Sequence, residues 1–222
     1  MIIVIDGPAG AGKSSTAKAV AQKLNIEYLD SGALYRALTC IFFQAGQDRK
    51  AFFDLLKQVS VSFSYTDAIF RVWVNDKEIT AKLRSAEVSA LVSDIASLDG
   101  SRTFVNSLMR EAVQEGAYIA EGRDLGTAVF PEADLKFFMS ADVDERARRR
   151  YDELKGSDDE VSIEQVSQNI AERDQKDTDR ANDPLKKAVD AIDVDNTSMS
   201  FDEQVQHICS IIDDKTELTY TQ

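Results

Sequence analysis

The sequence predicts an α/β fold with a five-stranded parallel sheet, helices on both faces, a small antiparallel insert and a helical lid. Three observations predict it. Short continuous apolar runs recur at Met1–Ile5, Ile26–Leu29, Ala117–Ala120, Leu135–Met139 and Ala191–Val194, the pattern of strands buried on both faces of a parallel sheet. Between these runs, apolar residues return at helical spacing. One central stretch alternates with period two instead, which is the mark of half-buried antiparallel strands.

Taken in order, Met1–Ile5 leads into a glycine-rich turn. Ala17, Val20, Ala21 and Leu24 then fall at i, i+3, i+4 and i+7 on one helix face. After the second strand, Leu34, Ala37, Leu38, Ile41, Phe42 and Ala45 mark a helix that ends near Gly46. Val61, Phe63 and Tyr65 alternate, as do Phe70, Val72 and Val74, with turns around Thr66-Asp67 and Asn75-Asp76. Val88, Leu91, Val92 and Ile95 restore helical periodicity, and Val105, Leu108, Met109 and Ala112 repeat it, with Asp99-Gly100 as the turn between. A charged helix pair spans Asp142 to about Lys155 and Ser162 to about Asp179, and Ser162 with Gln165 forms a capping box. Gly156 to Glu160 reads as a flexible acidic loop between the pair. The final helix opens on Ser200 and Glu203, carries Val205, Ile208, Cys209 and Ile212 on its apolar face, and leaves the last residues frayed.

Composition narrows the function. The 222 residues suffice for one sizeable core with small inserts, and no apolar stretch approaches the roughly 18 residues of a membrane helix. Met1 to Gly7 has neither a basic region nor a small-residue cleavage site, so the reading is a cytoplasmic chain without a signal peptide. Cys40 and Cys209 are expected as reduced core thiols, and His207 as a surface or packing residue. A net charge of −13 argues against general nucleic-acid binding. An acidic surface without an evident large apolar patch favours a monomer. The arginines are nonetheless grouped, with Arg146, Arg148, Arg149 and Arg150 within five residues and Arg173 and Arg180 beyond them, and such a group can make a local anion site.

Gly7-Pro8-Ala9-Gly10-Ala11-Gly12-Lys13-Ser14 matches G-x-x-x-x-G-K-[ST], between a buried strand and an amphipathic helix. Glycines let consecutive backbone N–H groups face one anion, and the helix N-terminus adds its dipole. Gly7 to Ser15 would hold ATP, with Lys13 reaching the β- and γ-phosphates and Ser14 holding Mg²⁺. No N-K-x-D segment is present to read guanine. A kinase needs a second anion site and arginines near the transferring group. Arg36 and Arg123 lie near strand ends, where ligands of parallel sheets collect, and the charged helix pair has the make-up of a mobile lid.

With these residues in view, the chain resembles the bacterial cytidylate kinase family. The resemblance rests on Ile5 to Ser14, on Leu29-Asp30-Ser31-Gly32-Ala33-Leu34-Tyr35-Arg36, on Glu121-Gly122-Arg123-Asp124-Leu125-Gly126-Thr127, and on Glu172-Arg173-Asp174 leading to Asp177 and Arg180. It implies a P-loop kinase domain made of a core (about 1–34, 82–144 and 181–222), a monophosphate-binding region with the insert (about 35–81), and a lid (about 145–180). It further implies that Ser31, Arg102 and Asp124 read cytosine, that Tyr35, Arg36, Arg123 and Arg180 bind the acceptor phosphate, and that Ser93, Arg173 and Asp177 hold the ribose. Glu121, where many members carry aspartate, would orient Mg²⁺ or its waters. Arg146 and Arg150 would be the lid arginines that touch phosphate.

The expected reaction is therefore transfer of the γ-phosphoryl group of ATP to CMP or dCMP, without nucleic-acid or membrane partners. Another small-molecule P-loop kinase, a UMP/CMP kinase and a non-enzymatic nucleotide sensor stay open as alternatives.

Overall fold

The computed structural model describes residues 1–154 and 162–216. The expected acidic loop at Gly156–Glu160 and the expected frayed end therefore lie outside the described residues. In chain order the elements are β1 (Ile2–Asp6), α1 (Lys13–Leu24), β2 (Glu27–Asp30), α2 (Ser31–Gln44), α3 (Arg49–Leu56), β3 (Val61–Thr66), β4 (Ile69–Val74) and β5 (Lys77–Glu78). They continue with α4 (Ala86–Ala96), α5 (Asp99–Ala112), β6 (Tyr118–Gly122), β7 (Leu135–Ser140), α6 (Val143–Leu154), α7 (Ile163–Asp179), β8 (Ile192–Asp195) and α8 (Phe201–Lys215). The five strands of the larger sheet run β2-β6-β1-β7-β8, all parallel. The smaller sheet, β3-β4-β5, is antiparallel. Among the described residues no helix is long and apolar enough to cross a membrane.

The chain divides into two compact units, residues 1–27 with the segment from Glu115 onward, and residues 28–114. In the first unit β1 lies between β6 and β7, which puts Ile5 beside Glu121 and Phe137, and Asp6 beside Gly122 and Phe138. Ile3, Val4, Ile5, Ile119, Phe137 and Met139 have no exposed surface, as continuous apolar strands of a covered sheet require. Each such side chain contributes about 1.5–3 kcal/mol by leaving water. Ile208, Cys209 and Ile212 of α8 are equally buried. The α6–α7 pair packs on its own small core of Ala147, Val166 and Ile170, flanked by Tyr151 and Leu154. The capping boxes at Ser162 and Ser200 form as the sequence predicts.

In the second unit the meander forms with tight turns at Asp67-Ala68 and Asn75-Asp76, all four residues at positive φ, the backbone a two-residue hairpin demands. Tyr28 sits edge-on to Tyr65 and Phe70, with centroids 5.3 and 5.9 Å away. Two features depart from the sequence reading. The short helix α3 was not anticipated; Asp48 caps it by accepting from the Ala51 N–H, and Phe52 is its fully buried anchor. Asp99 and Gly100 are not an inter-helix turn but the first residues of α5. A Cβ at Gly100 would lie 2.5 Å from the Phe53 ring, so this glycine answers to close packing and not to a turn.

Candidate active site

The glycine-rich segment leaves β1 at Asp6. Gly7 has φ 149°, and a Cβ there would stand 1.9 Å from the Met139 carbonyl oxygen of β7. Only glycine lets the chain pass that close. Gly10 and Gly12 also have positive φ, and Gly12 is the residue from which α1 starts. Lys13 is the first residue of that helix, and its Nζ folds back to donate to the Pro8 carbonyl at 2.7 Å. Burial and the Arg123 guanidinium push Lys13 down to about 7, against the upward pull of Glu121, Asp6 and Asp177. Ser14 Oγ donates to Glu121 Oε1 at 2.7 Å, and Ser15 Oγ donates to the Gly12 carbonyl at 2.8 Å. The hydroxyl of Ser14 and the carboxylate of Glu121 form an oxygen pair suited to a hard cation, the donor set Mg²⁺ prefers.

Beneath the loop, Asp6 is buried, and its two carboxylate oxygens accept from the N–H groups of Leu125 and Gly126 at 3.0 and 2.7 Å. Burial pushes its carboxyl up to about 6, although those two donors pull the other way. The acceptor pair fixes the tight turn after β6, where the Phe130 N–H reaches the Leu125 carbonyl in an i→i+5 bond. Asp6 was not singled out from the sequence, yet an aspartate closing an apolar strand was a visible signal.

The same unit gathers four of the residues expected at the acceptor. Arg123 Nε donates to Asp177 Oδ2 at 3.0 Å. Burial lowers the Arg123 affinity for its proton, but Asp177 and Glu121 outweigh it and hold that affinity above the ordinary value. Arg180 Nη2 donates to Asp124 Oδ1 at 3.1 Å, and Arg180 also lies 3.9 Å from Asp177. Arg123, Asp124, Asp177 and Arg180 thus form one ion-pair network near Lys13. Arg173 is half-buried on α7, four residues before Asp177.

The two lid arginines have different fates. Arg146 is buried, with Nε donating to the Ala141 carbonyl and Nη1 to both the Ala9 carbonyl and Asp174 Oδ2. Asp174 in turn accepts from the Ala9 N–H at 2.8 Å. Arg150 instead pairs with Glu153 at 2.8 Å on the helix surface. Arg146, Arg149 and Arg150 follow the spacing of one helical face, but the fold assigns them separate partners. Asp174, inside a motif quoted above but given no role there, is a second residue that sequence reasoning missed. Asn196, in the loop after β8, is a third.

In the second unit, Asp30 accepts from the Ala33 N–H and caps α2, which starts at Ser31. Ser31 and Tyr35 are buried on that helix and Arg36 is half-buried. Arg102 of α5 is buried, donates to the Ala96 carbonyl at 3.4 Å, and lies 5.8 Å from the centroid of the Tyr35 ring, in cation–π range. Ser93 is half-buried on α4. Within this unit the fold brings Arg102 to Tyr35.

The family model and the curated relatives point to one family. A model described as cytidylate kinase matches residues 3–214. A cytidylate kinase of Pseudothermotoga lettingae is 42% identical over 211 residues, covering 95% of this chain and 93% of that protein. One from Carboxydothermus hydrogenoformans is 40% identical over 221 residues, covering 98% and 100%. Among solved structures, a gluconokinase from Sinorhizobium meliloti 1021 aligns with TM-score 0.50 at 12% identity over 97% of this chain and 93% of that one, a likeness of fold. The chain belongs to the cytidylate kinase family.

Proposed function

We propose that this protein transfers the γ-phosphoryl group of ATP to CMP and dCMP. The observation that carries the reading is the arginine–carboxylate network Arg123–Asp177 and Arg180–Asp124, electrostatically linked to Lys13 of the phosphate loop. A kinase for a hydroxyl acceptor needs a base beside that hydroxyl. A monophosphate is largely dianionic at neutral pH, so its kinase needs cations that tolerate two repelling anions. This favours the nucleotide kinase over the metabolite kinase and over a sensor.

In this reading Gly7 to Ser15 bind the triphosphate, and Lys13 supplies positive charge to the β- and γ-phosphates. Arg123 and Arg180 meet the acceptor phosphate, joined by Tyr35 and Arg36. Ser31, Arg102 and Asp124 read the cytosine edge, and Ser93, Arg173 and Asp177 hold the ribose. Ser14 and Glu121 would hold Mg²⁺, which offsets charge on the transferring group when bound. No general base is needed; alignment and charge stabilisation carry the reaction. Arg150 can serve the phosphates once it leaves Glu153, whereas Arg146 is engaged by the loop itself.

The test is kcat/KM for CMP, dCMP, UMP, AMP and GMP under one set of conditions. CMP and dCMP are expected to lead, UMP to follow poorly and the purines to be nearly inert. A lead for AMP or GMP refutes the cytidylate reading and leaves the P-loop kinase standing.

A further inference from the structure

Asn196 has no exposed surface, and each of its polar groups is engaged. Its Nδ2 donates to the Ala11 carbonyl at 2.9 Å and also to Gln204 Oε1. Its Oδ1 accepts from Arg149 Nη1 at 3.2 Å, its carbonyl accepts from Arg149 Nη2 at 2.8 Å, and its N–H donates to the Ser140 carbonyl at 2.9 Å. A guanidinium only donates, so Arg149 fixes which end of the amide faces it. The Nδ2 end is thereby committed to Ala11.

That commitment acts on the phosphate loop through the peptide plane. The Ala11–Gly12 peptide bond is trans, so the carbonyl of Ala11 and the N–H of Gly12 point in opposite directions. Holding the Ala11 oxygen toward Asn196 turns the Gly12 N–H to the other side of the loop, away from the protein groups that hold the carbonyl. The same device recurs two residues earlier, where Arg146 holds the Ala9 carbonyl and so sets the Gly10 N–H. Anion-binding loops depend on such N–H groups being aimed before the anion arrives.

We propose that Asn196 is a positioning residue for ATP binding, which presets the Gly12 N–H by anchoring the Ala11 carbonyl, with Arg149 and Gln204 orienting its amide. The inference rests on the proposed reading only for the identity of the ligand, the triphosphate of ATP.

The test is direct binding of ATP and, separately, of CMP to Asn196→Ala, a neutral change that alters no charge near the polyphosphate. ATP affinity should fall about tenfold, the scale of one buried hydrogen-bonding group left unpaired, while CMP affinity shifts less than about twofold. An unchanged ATP affinity overturns the inference, and so does an equal loss for both ligands, which marks a merely structural role. Should Asn196→Ala fail to fold, Gln204→Leu is read by the same criteria, with an ATP loss of about threefold. Wild-type protein that does not bind ATP would instead refute the proposed function, and a different acceptor base would leave the inference intact.

Discussion

Ser14 Oγ and Glu121 Oε1 lie 2.7 Å apart, joining the first turn of α1 to the end of β6. The pair exists because β1 and β6 are adjacent and in parallel register, Ile5 beside Glu121. If it holds Mg²⁺, Glu121→Gln keeps the hydrogen bond from Ser14 but removes the charge. The Mg²⁺ concentration for half-maximal rate should then rise about tenfold, within the range that altered metal-site ligands produce, with the melting temperature little changed. A titration of rate against Mg²⁺ that superimposes on wild type excludes Glu121 from the metal site.

Lys13→Ala tests the phosphate clamp. The Lys13 side chain is buried, but its amino group bonds the Pro8 carbonyl within the loop itself and joins no two elements, so the fold should persist. Turnover should drop about 100- to 1,000-fold, as when one preorganised donor is lost. A variant that keeps more than about a tenth of wild-type turnover has lost less than about 1.4 kcal/mol, and Lys13 is then not the clamp.

Lys13 also predicts a proton signature. With its pKa at about 7 in the unliganded protein, most Lys13 is neutral at pH 8. Phosphate oxygens favour the charged form, so binding raises the pKa and draws in a proton. ATP affinity should therefore weaken as pH rises from 7.5 to 9, and binding at pH 8 should take up close to one proton. Calorimetry in two buffers of different ionisation enthalpy measures this directly. Zero uptake at pH 8 would mean that Lys13 is already charged before ATP arrives.

How much of this was legible beforehand depends on the range of the interaction. The phosphate loop, the hairpin turns and both capping boxes are local, so a few neighbouring residues specify them. The helix α3 is also local but short, with only Phe52 and Leu56 buried, too few for a period to stand out. Gly100 reads as a turn until Phe53 arrives from another helix to claim the space of its Cβ. The arginines show the limit most clearly. Arg146 and Arg150 have the same residue type and helix face, but one ends buried on Ala9 and Asp174 and the other outside on Glu153. What separates them is the placement of the loop and of α7, which the spacing of residues within α6 does not contain. Asn196 was invisible for the same reason, since Ala11 lies 185 residues away.

The last prediction concerns Asp124, which is buried and paired with Arg180 in this structure. In the proposed reading its carboxylate accepts from the cytosine amino group, while Arg180 faces the acceptor phosphate. Uracil places a carbonyl where cytosine has that amino group, setting two acceptors against each other. A closed site rejects such a ligand because buried groups stay unpaired. Asp124→Asn keeps the size of the side chain but gives it a donor, so it should lose activity toward CMP and gain relative activity toward UMP. The ratio of kcat/KM for CMP over UMP should fall about tenfold or more, the effect of one mismatched hydrogen bond. Because the substitution also removes the charge opposite Arg180, activity toward both substrates should decline together by a common factor, which the ratio cancels. If both substrates decline equally and the ratio stays at the wild-type value, Asp124 serves only to hold Arg180, and base selection must be sought in Ser31 and Arg102.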